Sequence, residues 1–464
     1  MAAASGRLEN TQPKLNVHGL DMSPINLALP QKYGLPQSTQ NWLDCSKHGL
    51  RQRKKSLHQC RQDAQYLLQK HTWTWPERTT VFISDLHADA DALTASLLAS
   101  GGVEKTDHVD QPFILNTQGK QMMFIFGGDF FDKGPSNLGL LRNLHAFIQT
   151  GADVQMLAGN HDMRVLFGMR SAGNTGDVRN GHFFMRMGAK AVPFLHEIRD
   201  TYLRHPKAMQ DIPDEASCMQ HLFPTPTWWK EFPEHAVTVM SIEKMQSEMD
   251  KIRQKMEKFK KHCKKHDLSM REAYAAALHW QYLFLHPQGE FYWFFQQLRL
   301  AYRKGSFLFV HAGIDDQMTD TLRDYDTPCI NQQFKQQMQG SPFEFYYGSL
   351  ANTIRTKYRH TDKPLTGKGG QQARQLGIHA IVHGHRNLRR GQRIALRKQL
   401  FHFECDVTLD RCSRQKEGLQ GQGAGATLIH PDGYVLGIST DYHAAKLFHP
   451  QSIIQHDMSI ISGA

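Results

Sequence analysis

The chain is poor in the features that would place it in several common classes. No apolar run in its 464 residues reaches the ~18–20 needed to cross a bilayer, so no membrane partner is expected. The opening MAAASGRLEN lacks a basic segment followed by an apolar one, so no secretory signal is expected. Cysteines are few and scattered (Cys45, Cys60, Cys218, Cys263, Cys329, Cys405, Cys412), and no CxxC pair occurs. Neither a disulfide framework nor a cysteine zinc site follows, and a reducing, cytoplasmic setting is favoured. With 36 Gly and 19 Pro, collagen-like and low-complexity classes fail. Walker A, zinc-finger and RNP motifs are absent, which weighs against a nucleic-acid partner without excluding one.

What is present is more telling. Forty per cent of residues are apolar, enough for a substantial core. Lys+Arg exceeds Asp+Glu by 55 − 44 = 11, a field that suits an anionic substrate. Histidine is abundant at 27, but placement matters more than the count.

The texture divides the chain. Residues 1–78 read as an N-terminal arm with one helix over 56–70. From 79, short Val-, Ile- and Phe-rich runs recur: TVFIS (80–84), MMFIFG (122–127), VQML (154–157), FLFV (307–310) and AIV (380–382). They read as buried strands alternating with helices, an α/β layered domain. That rhythm spans 79–200 and 304–445. Between them, 201–303 reads as an inserted helical subdomain. Ile242, Met245, Met249, Ile252, Met256 and Phe259 form a heptad seam, read as an amphipathic helix packed on the body. Ser269-x-x-Glu272 looks like a capping box for a second helix ending near Leu285. The aromatic stretch EFYWFFQQLRLAYRK is expected to be helical. TGKGG (366–370) is expected to be a plain loop. Pro431-Asp432-Gly433 predicts a hairpin between ATLIH and YVLGIS. Residues 446–464 form an uninformative tail.

Each of the five apolar runs ends in residues able to bind metal or move protons. In order they are Asp85-Leu86-His87; Gly128-Asp129-Phe130-Phe131-Asp132-Lys133-Gly134; Gly159-Asn160-His161-Asp162; His311-Ala312-Gly313; and His383-Gly384-His385. Taken singly, each reads as an ordinary turn. Their ordered coincidence at five strand ends changes the balance, because α/β folds bring such loops together.

The pattern DxH, GDxxDxG, GNHD, HAG and GH resembles the calcineurin-like metallophosphoesterase superfamily over about 79–200 and 304–445. Its wording is similar to the phosphoprotein-phosphatase branch, whose bacterial relatives include diadenosine tetraphosphatases. The resemblance implies a four-layer α/β/β/α sandwich. It implies one metal on Asp85, His87 and Asp129 and a second on Asp129, Asn160, His311 and His385. Carboxylate, amide and imidazole ligands suit two divalent ions, Mn, Fe or Zn, with Mn favoured. A hydroxide bridging them would attack a phosphate monoester, of a phosphoprotein or a small molecule. A dinucleotide polyphosphate is the alternative substrate. A non-catalytic scaffold or nucleic-acid binder is the reading from another class, against which the full ligand set counts. His161 would be the general acid, oriented and kept cationic by Asp132. Asp162 is read equally as an orienting carboxylate or a turn residue. His383 is read as structural.

Three departures stand out. The branch's phosphate-gripping Arg after the second Asp is Lys133 here, a point charge without a bidentate fork. Arg164, Arg170 and Arg386 stay open as further phosphate cations. Asn387 stands where diesterase-type relatives carry a second ligand. The gap between Asn160 and His311 holds the helical insertion, expected to cap the site. Of the two basic runs, KIRQKMEKFKKHCKKH reads as a solvated helix face and 386–398 as a rim that could attract polyanions.

Overall fold

Alternate residues of the central strands point to opposite faces, and both faces are apolar, which requires cover on each side. The computed structural model describes residues 27, 29–45, 50–51, 55–173, 176–451 and 453. The first 26 residues of the expected arm and the tail beyond 453 lie outside them. Two mixed sheets form the centre. The larger runs in the order Thr39–Asn41, Ala445–Phe448, Tyr434–Ser439, Gly425–His430, Thr80–Ile83, Met123–Phe126, Asp153–Leu157, Leu298–Arg299. The smaller runs Leu50–Arg51, Arg393–Arg397, Leu400–Glu404, Ala380–His383, Phe307–Val310, Ala301–Lys304.

Phe82, Met123 and Ile125 from the larger sheet meet Phe307, Phe309, Val382 and Phe403 from the smaller one in a core between the sheets. The intervening residues, Val81, Ile83, Phe124 and Phe126 on one sheet and Leu308, Val310 and Ile381 on the other, face outward. There they meet helices, among them Ala90–Ala99 and Asn137–Gln149 on the larger sheet and Asp316–Asp324 and Gly367–Gln375 on the smaller. The architecture is thus the expected sandwich of two sheets flanked by helices. Parallel pairing of Thr80–Ile83 with Met123–Phe126, of Met123–Phe126 with Asp153–Leu157, and of Phe307–Val310 with Ala380–His383 puts all five carboxyl ends on one side.

Several local expectations are met. The helix Leu57–Lys70 starts on a Ser56–Gln59 capping box. Met270–Leu285 starts on the Ser269–Glu272 box, with Glu272 N–H donating to Ser269 Oγ at 3.1 Å. Gly425–His430 and Tyr434–Ser439 pair as the antiparallel hairpin. On Ile242–Lys265, Met245, Ile252 and Phe259 are buried one heptad apart, while Ile242, in the first turn, is exposed.

Three expectations are corrected. TGKGG is not a loop: Thr366 precedes a helix, Gly367–Gln375, whose glycines permit close packing. A Cβ on Gly369 would stand 2.1 Å from Asp316 Oδ1. The aromatic stretch is helical only over Tyr292–Gln297; then Leu298–Arg299 joins the larger sheet and Ala301–Lys304 the smaller. The first region is not merely an arm, since Thr39–Asn41 and Leu50–Arg51 each close one edge of a sheet.

Phe131 ties the insertion to the sheets. Its ring is fully buried and lies 5.2–6.0 Å from those of Phe194, Phe284, Phe294 and Phe295. Phe131→Ala should therefore cost ~3–5 kcal/mol of unfolding free energy, measured by urea titration. A loss under ~1 kcal/mol would show that the insertion does not depend on this ring.

Candidate metal centre

Five loops at the strand ends must approach within backbone contact for their short side chains to meet. Positive φ values mark where this bends the chain: Asp85 (61°), His87 (44°), Asp129 (59°), Asp132 (69°), Lys133 (70°) and His385 (67°). Each left-handed non-glycine residue costs about 1–2 kcal/mol, so the surrounding structure must hold them in place. Glycine serves where backbones touch. A Cβ on Gly384 would lie 2.0 Å from Asp85 Oδ2 and Ser84 Oγ. One on Gly159 would lie 2.2 Å from Asp129 N and Oδ1.

All six candidate ligands converge around Asp129. On one side, His87 Nε2 lies 3.8 Å from both Asp85 Oδ1 and Asp129 Oδ2. On the other, His311 Nε2 lies 3.4 Å from Asp129 Oδ1, 3.3 Å from Asn160 Oδ1 and 3.2 Å from His385 Nδ1. The two oxygens of Asp129 thus face two donor sets. His87, Asp129 and His161 form one cluster able to hold an ion, and Asp129, His311 and His385 the other.

The remaining imidazole nitrogens show which way each ring is aimed. His87 Nδ1 lies 3.1 Å from Phe131 O, His311 Nδ1 2.7 Å from Gly127 O, and His385 Nε2 3.1 Å from Arg355 O. A carbonyl accepts only from N–H, so in each ring the opposite nitrogen is the one turned to the centre.

Electrostatics agree with a cation-binding pocket. Burial, then the Lys133 charge, holds His87 well below its usual range. Burial, then His311, does the same to His385. The neutral form of both rings is therefore favoured, the form in which an imidazole coordinates a metal. Burial lifts the Asp85 carboxyl to about 6, with His311 opposing it and Asp129 adding to it. His311 goes the other way: burial opposes its charge, but Asp129 and Asp85 carry it up to about 10. Buried carboxylates that draw positive charge onto an imidazole fit a divalent pair.

His161 Nδ1 lies 2.9 Å from Asp132 Oδ2, and its Nε2 lies 4.0 Å from Asp129 Oδ2. Arg164, one turn along the same helix, also pairs with Asp132 Oδ2 and stands 2.7 Å from His161 Nδ1. One carboxylate oxygen therefore serves two claimants. The expected cationic His161 is reversed in this arrangement: burial, then Arg164, lowers its pKa to about 4 despite Asp129 and Asp132. Asp162 is an organiser rather than a simple turn residue. Its carboxylate accepts from the N–H groups of Gly159 (2.7 Å), Asp129 (2.9 Å) and Phe130 (2.8 Å).

Lys133 is at the site, with Nζ 2.6 Å from His87 Nε2. Of the other cations, Arg170 donates to the carbonyls of Met338, Gln339 and Gly340 and is structural. Arg386, Arg393 and Arg397 converge on the fully buried Glu404, so this half of the 386–398 run faces inward, while Arg389, Arg390 and Lys398 are exposed. Arg164 alone of the three open candidates sits beside the candidate catalytic pair.

Two residues escaped the sequence reading. Asp406 is buried, and its carboxyl is pushed well above the usual range by burial, then by Asp85. It follows the apolar strand Leu400–Glu404, the same grammar of a run ending in an acid. Arg355, whose carbonyl receives His385, carried no motif at all.

Residues 78–245 match the family model described as calcineurin-like phosphoesterase, and His311 and His385 lie beyond the matched part. No curated protein matched. Among solved structures, a cold-active protein tyrosine phosphatase is 14% identical over 80% of this chain and 78% of its own, with a TM-score of 0.41. A Shewanella sp. cold-active protein-tyrosine phosphatase is 12% identical over 80% of each chain, at 0.38. A Saccharomyces cerevisiae protein serine/threonine phosphatase is 10% identical over 84% and 87%, at 0.34. Likenesses this distant carry no assignment.

The Glu404 cluster yields a test of the scaffold behind His385. Burial raises its carboxyl, but Arg397 and Arg393 hold it well below the usual range. A depressed carboxyl adds stability above the unfolded value of ~4.3 and loses it as pH falls towards the folded value. Glu404→Gln should cost ~3–5 kcal/mol at pH 7. The gap from the parent should narrow below pH ~4 in urea melts; a gap independent of pH would contradict the ion cluster.

Proposed function

The chain carries a calcineurin-like phosphoesterase domain, and on that premise we propose that it hydrolyses phosphate esters or anhydrides at a two-metal centre. The supporting observation is the single carboxylate, Asp129, whose two oxygens face two separate donor sets. Two divalent cations held by Asp85, His87 and Asp129, and by Asp129, Asn160, His311 and His385, would supply charge to the phosphoryl oxygens and lower the pKa of a water. Mn is our first choice, on the mixed hard and borderline donors. No helix among the described residues is long and apolar enough to cross a membrane. Seven free cysteines support a reducing, cytoplasmic setting.

The chain's own residues would do the rest. Lys133 leaves His87 Nε2 to that ligand role and turns its ammonium to a phosphoryl oxygen. Arg164 binds a second oxygen with its half-buried fork, which offers the bidentate grip Lys133 lacks. His161 gives a proton from Nε2 to the leaving oxygen while Asp132 fixes the ring through Nδ1. An arriving phosphate offsets the Arg164 charge, the chief charge opposing protonation of His161. Residues 201–303 cap this side of the body, through the aromatic contacts of Phe131.

His161→Asn should retain the full metal content and lose at least ~100-fold in turnover of an aryl phosphate. Asp129→Asn should lose metal as well as activity. Metal analysis beside steady-state kinetics reads both, and near-normal turnover in His161→Asn would remove the role given to that residue.

A further inference from the structure

We infer that Tyr346 is a positioning residue for the second metal. With Arg186 it holds Arg355, whose carbonyl fixes the His385 ring, so affinity for that metal is set from the insertion helix Ile242–Lys265. The inference rests on the two-metal reading above and adds a control on one half of the centre.

The chain of contacts begins on the insertion helix. Glu248 Oε2 accepts from Arg186 Nη1 at 2.9 Å. Lys255, about two turns further along, donates from Nζ to Arg186 O. Arg186 is thus gripped at both its side chain and its backbone. Its guanidinium lies on Tyr346, with Cζ 3.8 Å from the ring centroid. Nη2 donates to the Tyr346 hydroxyl, and Nη1 to that of Tyr347 at 3.2 Å. The same Tyr346 ring carries a second cation, with Arg355 Cζ 4.8 Å from its centroid. Arg355 O then accepts from His385 Nε2 at 3.1 Å. Every step from Glu248 to His385 is a direct contact.

The weak point that needs this support is Arg355 itself. It lies two residues beyond the short helix Leu350–Thr353. Thr353 O accepts from the N–H groups of Ala312 and Gly313, at 3.1 and 3.3 Å, so the helix end is pinned to the His311 loop. Beyond it the chain turns towards Tyr358, at φ 55°. The Arg355 carbonyl is aimed by the two soft dihedrals of its own residue. Arg186 has Glu248 to meet its charge, but no carboxylate lies within ion-pair distance of Arg355 among the described residues. The electron-rich Tyr346 face meets the Arg355 charge instead. Burial would raise the Tyr346 phenol, but Arg186, then Arg355, bring it below its usual range, so both charges are felt at the ring. A long side chain freed from such a contact regains its rotamers and releases the peptide behind it. None of these contacts reaches Asp85 or His87, so the effect falls on the second metal alone.

The test is Mn titration of the metal-free protein by calorimetry, beside the electron paramagnetic resonance of the coupled Mn pair. The parent should take two Mn, and His385→Asn marks which of them belongs to the second set. Tyr346→Leu should weaken that Mn by about tenfold and leave the other within about twofold, as expected when support behind a metal-bound His is lost. The coupled-pair signal should give way to that of isolated Mn at the same metal content. Tyr346→Phe keeps the ring over Arg355 and should hold the affinity within about threefold of the parent. Glu248→Gln, an isosteric change that preserves the fold, should weaken the same Mn by about threefold. A lower melting temperature in Tyr346→Leu with both Mn affinities unchanged would overturn the inference, as would equal weakening at both sites. Parent-like binding in Glu248→Gln would overturn the part given to the insertion helix. A parent that takes no second Mn would end the two-metal reading, and the inference with it.

Discussion

The candidate centre depends on one carboxylate that faces no substrate. Asp162 gathers the N–H groups of Gly159, Asp129 and Phe130, so the second and third strand-end loops are tied to a single side chain. Buried N–H groups in tight loops have no strand partner and must find an acceptor, or each costs a desolvation penalty of ~1–3 kcal/mol. Asp162 meets all three at once, and Phe131 N–H as a fourth at 3.4 Å. With those loops fixed, Asp129 can sit at φ 59°, present Oδ1 to His161 N–H at 2.8 Å, and still face His311 and His87. The left-handed turn at Asp129 is thus held by the closure of these two loops.

The same logic joins the centre to the insertion. Between Asp129 and Asp132 stand Phe130 and Phe131, both buried. Phe130 packs against Phe294 at 5.2 Å, and Phe131 against that ring and three more. The two acids that bracket the phenylalanines point to the site while the rings point to the helical core. Any movement of the helices is felt at Asp129 and Asp132 because packed aromatic cores yield little.

Much of this was legible from sequence, for definable reasons. Apolar runs that end in Asp, Asn or His report two constraints at once, a buried strand and a polar loop at its end. Where both coincide, as at Asp85, Asp129, Asn160, His311 and His385, position along the chain predicts convergence. Asp406 obeys the same rule, but the strand before it, Leu400–Glu404, carries His402 and Glu404 among its apolar residues and so hides its periodicity. Arg355 acts through its backbone carbonyl, which no side-chain motif can signal. TGKGG misled because glycine weakens helix propensity, while here packing against Asp316 and Lys398 demands it. The charge on His161 failed for another reason. Asp132 was visible from sequence as a partner, but Arg164 on the next turn competes for the same oxygen, and only the folded geometry shows that.

Charge placement separates the two basic segments that looked alike in sequence. Arg386, Arg393 and Arg397 surround Glu404 behind His385, with Arg386 and Arg397 5.2 and 5.1 Å from the Tyr358 ring. Their charge is absorbed into the scaffold. The helix Ile242–Lys265 is mostly solvated and pairs locally, as in Lys251–Glu248, Arg253–Asp250 and Lys260–Glu257. Lys255 instead lies against Gly188, with its ammonium donating to Arg186 O. The two segments therefore differ in what meets their charge: a buried carboxylate behind His385, and solvent with local partners on the helix Ile242–Lys265.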